Sequence, residues 1–219
     1  MIALNSEIIQ KHLNLRNGLF GLVLIFFVVF GLLIRSYFIK KEITEIYNEG
    51  TSQYSSNHLD AAKSAFLRVL ELDDEHADAL FLLGKIEFFS KKFQNAEEYF
   101  NRCKTEDSGR LDCFFWKAKS GFLVGKNYES VEEDIIFLKG KGFDHPELFH
   151  LQGMLYERAG NLSLALKSYE EALSFTVVAL PTLQRMEAIY SKAGFTEKSE
   201  KYESLNRSIR DFHARNITR

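Results

Sequence analysis

Cysteine is scarce, two in 219 residues, which excludes a disulfide framework and a four-thiolate zinc site. Proline also numbers two and glycine thirteen. Collagenous and Pro-rich classes are thereby excluded, and long uninterrupted helices are permitted. Neither sign of charge prevails: 28 Lys and Arg face 30 Asp and Glu, a formal net charge of −2. That balance offers no overall drive toward nucleic acid. No nucleophile elbow, His-Glu-x-x-His pair or Cys-x-x-Cys occurs, and no catalytic, cofactor-binding or metal-ligating set is expected. What is present is ordinary for a globular chain, 46% apolar and 26% charged, so wholesale disorder is excluded.

The charge is unevenly placed. Residues 1–42 carry five Lys/Arg and two Asp/Glu, net +3, which leaves 23 and 28, net −5, for residues 43–219. Within the basic head, residues 18–34 form a run of seventeen uncharged, nearly all apolar residues between Arg16 and Arg35. With Asn17 this makes a helix of about 27 Å, close to the ~30 Å hydrocarbon thickness of a bilayer. A transmembrane helix is expected over 17–39, behind a tail of 1–16, with Arg35 reaching back to the headgroups. The exit Leu33-Ile34-Arg35-Ser36-Tyr37 lacks a small-x-small cleavage site. Removal of the segment as a signal peptide, leaving a secreted soluble protein, is the alternative reading. Flanking cations are nearly balanced, Lys11 and Arg16 against Arg35, Lys40 and Lys41. A short tail before a single span favours a cytoplasmic N-terminus and an exported body. The absence of Pro and Gly between Gly31 and Gly50 suggests that the span continues unbroken into the next helix.

The body repeats. Gly50, Gly84 and Gly153 are spaced 34 and 69, and the same two intervals separate Ala62, Ala96 and Ala165, and again Phe66, Phe100 and Tyr169. Since 69 exceeds two periods by one, a degenerate copy with one inserted residue is expected between 84 and 153. Phe115, Phe122, Tyr128, Val131 and Ile135 supply its apolar places, with Lys119 and Val131 at its two small-residue places. Turn residues fall at Ser55-Ser56-Asn57, Ser90-Lys91-Lys92, Gly125-Lys126-Asn127 and Gly160-Asn161. These markers resemble the tetratricopeptide repeat family, a helix–turn–helix unit of about 34 residues. The resemblance implies an α-solenoid over 40–210 of about five repeats; with the transmembrane helix expected from the apolar run before it and a C-terminal tail of 211–219 after it, the chain reads as all-α. The repeats are placed at 43–76, 77–110, 112–145, 146–179 and 180–210.

The resemblance also implies a concave surface lined by the first helix of each repeat. Its protein-binding groove is expected at Tyr47, Tyr54, Phe81, Lys85, Phe88, Trp116, Ser120, Leu123, His150, Met154 and Glu157, with Glu147 beside them. The alternative is that several of these rings pack between repeats. The cationic and amide set with which some family members grip a chaperone C-terminus is missing. Ser120 to Asn127 resembles a phosphate loop only superficially, because Ser120 and Asn127 occupy places that need Gly and Ser/Thr. Asp144, His145, Glu147 and His150 read as a loop and a first helical turn. Cys103 and Cys113 could pair across the turn between repeats if the body is exported. The expected function is a membrane-anchored, non-enzymatic adaptor. Its partners are a protein or peptide segment and the bilayer, not nucleic acid, with a role in assembling, exporting or chaperoning membrane or envelope proteins.

Overall fold

A computed structural model describes the backbone of residues 2–125, 128–173 and 179–217, and the side chains of 26–125, 128–173 and 179–211. The expected tail 1–16, part of the expected span, the residues Lys126-Asn127 and most of the expected C-terminal tail lie outside the described side chains. Among the described residues the chain has ten α-helices and no strand. Two compact units divide at Asp74.

The first unit holds α1 (Ile2–Ser55) and α2 (Leu59–Leu72). α1 runs without interruption through the expected junction at 35–45, as the lack of helix breakers there dictates. Its C-terminal part buries Ile43, Ile46 and Gly50 against Ala62, Ala65, Phe66 and Val69 of α2. Gly50 is required by proximity: a Cβ there would lie 2.7 Å from the Phe66 ring. Among the described side chains, the stretch from Phe26 to Phe38 of α1 has no such cover. Phe26, Phe27, Leu32, Leu33, Tyr37 and Phe38 are all about 60% exposed or more. Among the described residues no helix is long and apolar enough to cross a membrane.

The second unit holds α3 (Ala77–Phe89), α4 (Phe93–Glu106), α5 (Leu111–Val124), α6 (Tyr128–Gly140), α7 (Pro146–Arg158), α8 (Leu162–Ala172), α9 (Ala179–Lys192) and α10 (Thr196–Ile217). In the pairs α3–α4 and α7–α8 the first helix places a glycine under a large ring of the second. Gly84 leaves room for Phe100, and Gly153 for Tyr169, whose ring would collide with any added Cβ. Close approach of this kind fixes the crossing of the paired helices.

Backbone geometry marks the turns. The described non-helical left-handed residues include Asn57, Lys91, Gly125, Gly160 and Gly194, spaced 34, 34, 35 and 34. Each ends the first helix of a pair, where a left-handed residue lets the chain reverse. The turn at Gly194 is one that reading the sequence for turn residues overlooks.

These spacings also locate the inserted residue, and they correct the expected register. The interval is still 34 from Lys91 to Gly125 but 35 from Ala96 to Val131. The extra residue therefore falls between Gly125 and Val131, after α5 rather than before it. The small residue of the third pair is accordingly Ala118, 1% exposed, and not Lys119. Ile135 stands where the first, second and fourth pairs carry an aromatic ring, so the larger small residue meets a smaller partner within one core cluster.

The third pair departs from the others in a second way. Lys117 stands 34 residues after the buried Leu83. Its ammonium donates to Asp134 Oδ2 at 2.5 Å and to Ser130 Oγ at 2.7 Å, while Lys104 donates to Asp134 Oδ1 at 2.8 Å. Lys117 and Asp134 are both buried. Glu97 lies near this cluster, and burial raises its carboxyl pKa against the opposing pull of Lys117. Cys103, near the end of α4, and Cys113, in the first turn of α5, are joined in a disulfide with Cα atoms 5.9 Å apart.

Candidate protein-binding face

α3 and α5 bring together the densest partly exposed aromatic group of the second unit. Phe88 meets Trp116 edge-on at 5.0 Å, Phe89 meets it at 5.9 Å, and Phe100 stacks on it at 6.0 Å. Phe88 also contacts Phe93. Phe88 and Trp116 are half-buried, whereas Phe89 is 58% and Leu123 45% exposed. The rings therefore pack between helices and present apolar surface at the same time, and the two readings of them are not exclusive.

Two lysines 34 residues apart lie over this group. The Lys85 ammonium is 5.3 Å from the Trp116 ring, 5.7 Å from Phe81 and 5.9 Å from Phe89. Lys119 approaches Trp116 at 4.9 Å and Phe88 at 5.5 Å, and it pairs with Glu147 in the first turn of α7. Arg110 covers Phe81 at 4.4 Å and pairs with Asp78. Cations over ring faces are held by the ring quadrupole; Lys119 and Arg110 are also held by Glu147 and Asp78, whereas Lys85 meets no carboxylate among the described residues. Phe89 and Lys119 were absent from the expected groove. Phe89 is legible as the i+4 neighbour of Lys85, and Lys119 appears once the third repeat is shifted by one residue.

That shift also reassigns expected groove places. Ser120 is fully buried and donates to the Trp116 carbonyl at 2.8 Å, so it lines no surface. In register, Phe115 and Phe122 take the places expected for Trp116 and Leu123. Phe115 is buried against Phe143 and His145. Tyr47 and Tyr54 belong to the first unit. Tyr47 packs on Phe66, and burial raises the phenol pKa of half-buried Tyr54.

The α7 residues are engaged in internal contacts. His150 Nδ1 lies 2.9 Å from Thr182 Oγ1, and its ring packs on Tyr169. Burial first, and then the nearby Arg185 charge, lower its pKa to about 4. Glu157 Oε2 accepts from Tyr169 at 2.8 Å and from Arg185 at 2.9 Å. Burial and that hydrogen bond push the Tyr169 phenol pKa up. Met154 packs against the core clusters on both sides of α7. His145 accepts from the Glu147 N–H as the N-cap of α7. Among the described residues no group of three His, Cys, Asp or Glu could hold a metal ion.

Sequence profiles described as the tetratricopeptide repeat match residues 47–110 and 146–176. No curated protein matches the chain by sequence. Among solved structures, MamA is similar with 17% identity and a TM-score of 0.67, over 76% of this chain and 96% of that one. YrrB, described as a TPR protein with an unusual peptide-binding site, is 17% identical with a TM-score of 0.65, over 81% and 97%. A tetratricopeptide repeat protein from Parabacteroides merdae is 16% identical with a TM-score of 0.66, over 78% and 68%. At these identities the likeness is one of fold, and together with the profile matches it supports the tetratricopeptide repeat family.

Proposed function

We propose that the chain is a membrane-anchored adaptor whose repeat helices α3 and α5 capture an extended or helical segment of another protein. The observation that carries this reading is the Phe88–Phe89–Trp116 group with Lys85 and Lys119 over its rings. Exposed aromatic surface beside oriented cations offers a partner apolar burial and charged hydrogen bonds in one place. YrrB, with the same fold, is itself described by its peptide-binding site.

Anchoring is supported by the uncharged run 18–34 and by the uncovered apolar side chains between Phe26 and Phe38 on α1. An exported body, with the N-terminus in the cytoplasm, is supported by the Cys103–Cys113 disulfide, since such bonds persist in oxidising compartments. Confinement to the membrane raises the effective concentration of partners that share it. This suits a role in assembling or exporting membrane or envelope proteins.

The test uses a photo-crosslinking residue placed at Phe89, at Leu123 or at exposed Glu98 of α4, in native membranes. One partner should be captured from both 89 and 123 and not from 98. Phe89→Ser with Leu123→Ser should abolish its capture from a crosslinker at Lys85 while leaving the melting temperature within a few degrees. Equal capture from all three positions, or undiminished capture by the double variant, removes this face from consideration.

A further inference from the structure

We propose that a notch between α1 and the end of α2 holds a membrane phospholipid whose headgroup carries both a phosphate and a primary ammonium; this rests on the reading of α1 as a membrane anchor. The notch, a cavity of about 470 Å³, is built from Leu32, Arg35, Ser36, Ile39, Lys40 and Ile43 on α1 and from Leu72 and Asp73 of the opposite wall. The α1 residues fall at intervals of three and four, so they form one stripe along one helix face. The stripe changes character along its length. It is apolar at Leu32, cationic and hydroxylic at Arg35 and Ser36, and cationic again at Lys40 beside the apolar Ile39, and it is closed by Ile43 where α1 meets α2.

From Leu32 to Lys40 the helix rises about 12 Å, comparable to the passage from hydrocarbon into the headgroup layer. A phospholipid has the same order of chemistry: acyl chain, then phosphate, then head substituent. Lys41 pairs with Glu45 at 3.8 Å, whereas neither Arg35 nor Lys40 meets a carboxylate among the described residues. Two cations on one face, beside a serine hydroxyl, are the donors a phosphate needs. Asp73, on the opposite wall, is the acceptor for an ammonium, and it disfavours a headgroup that is only anionic. A choline head has no N–H to give Asp73.

The experiment uses the full chain in nanodiscs of phosphatidylcholine alone, or with one fifth phosphatidylethanolamine or phosphatidylglycerol. Lipid retained after transfer to detergent is read by native mass spectrometry. About one phosphatidylethanolamine per chain is expected, retained in preference to the other two lipids. Arg35→Gln with Lys40→Gln should lower its occupancy at least about tenfold, the loss of one charge-assisted hydrogen bond or more. Ser36→Trp, which fills the notch and leaves the flanking charges intact, should do the same. Asp73→Asn should move the preference toward phosphatidylglycerol. Retention that is unaltered in the first two variants, or equal among the three lipids, overturns the proposal. Resistance of the wild-type chain to high-salt and alkaline extraction is measured separately. Loss of the chain from the membrane there defeats the anchor and the notch together, whereas a firmly inserted chain with no selective lipid defeats the notch alone.

Discussion

At the scale of single residues, two positions carry measurable consequences. Lys91 ends α3 with φ at +61°, where the third, fourth and fifth helix pairs use glycine. A side chain there costs roughly 1 kcal/mol in the left-handed region. Lys91→Gly is therefore expected to stabilise the chain by about 1 kcal/mol, read as a shift in denaturant midpoint at constant slope. A destabilisation would mean that Lys91 contributes a contact outweighing its backbone cost. His150 gives a pH signal of defined sign. Its folded pKa is lowered to about 4 from 6.5 by burial and by Arg185. The unfolded chain thus binds a proton near pH 6.5 that the folded chain refuses. Stability from this group is complete above that pH and falls as the pH drops toward 4, by up to about 3 kcal/mol. Unfolding titrations of the wild type and of His150→Gln at pH 7, 5.5 and 4 should converge on acidification. Parallel curves would contradict the assignment.

At the scale of elements, the first, second and fourth helix pairs are held by a glycine under an aromatic ring, whereas in α5 and α6 an ion cluster shares the task. Lys117 and Asp134 are both buried and bridged at 2.5 Å. Removing one partner leaves the other charge buried alone, and Asp134→Ala should cost about 3–5 kcal/mol. Lys117→Met combined with Asp134→Leu removes both charges and should cost much less than the single variant. Thermal melts of the three chains decide it, and equal losses in the single and double variants would show that the pair is not coupled. This pair illustrates what sequence cannot supply. A lysine and an aspartate in amphipathic helices read as solvated, because burial of either is uncommon without a partner that only the fold brings near. The period of 34 was legible from Gly50, Gly84, Ala62, Ala96, Phe66 and Phe100, since helix crossing demands those sizes at those places. The site of the inserted residue was not legible. Ala118 and Lys119 are adjacent, and only the turn at Gly125 shows which of them faces the crossing. That one-residue error moved the expected groove from Lys119 to Ser120 and from Phe115 to Trp116, so Trp116 entered the expected set by the shifted register, whereas Lys85 and Phe88 lie in the second pair, which the shift leaves untouched.

At the scale of the whole molecule, the uncharged run in the basic head and the disulfide in the acidic body lead to one joint expectation. The chain should stay in the membrane fraction through high salt, because salt screens surface charge pairing and leaves a spanning helix in place. When it is denatured without reductant, maleimide should label neither Cys103 nor Cys113, and should label both after reduction. Two reactive thiols before reduction would place the body in a reducing compartment and reverse the orientation proposed for it. A final consequence follows from the continuity of α1, which joins the apolar stretch to the α2 hairpin with no break. A continuous helix transmits azimuth: each added residue turns everything beyond it by about 100° and advances it about 1.5 Å. The compass bearing of α2 about the α1 axis is thus counted out in residues. One alanine inserted between 39 and 43 would swing it by more than a quarter turn, whereas seven would restore it to within about 20°. Length changes in this segment therefore turn the hairpin in fixed steps, and only a few of those steps bring it back near its original heading.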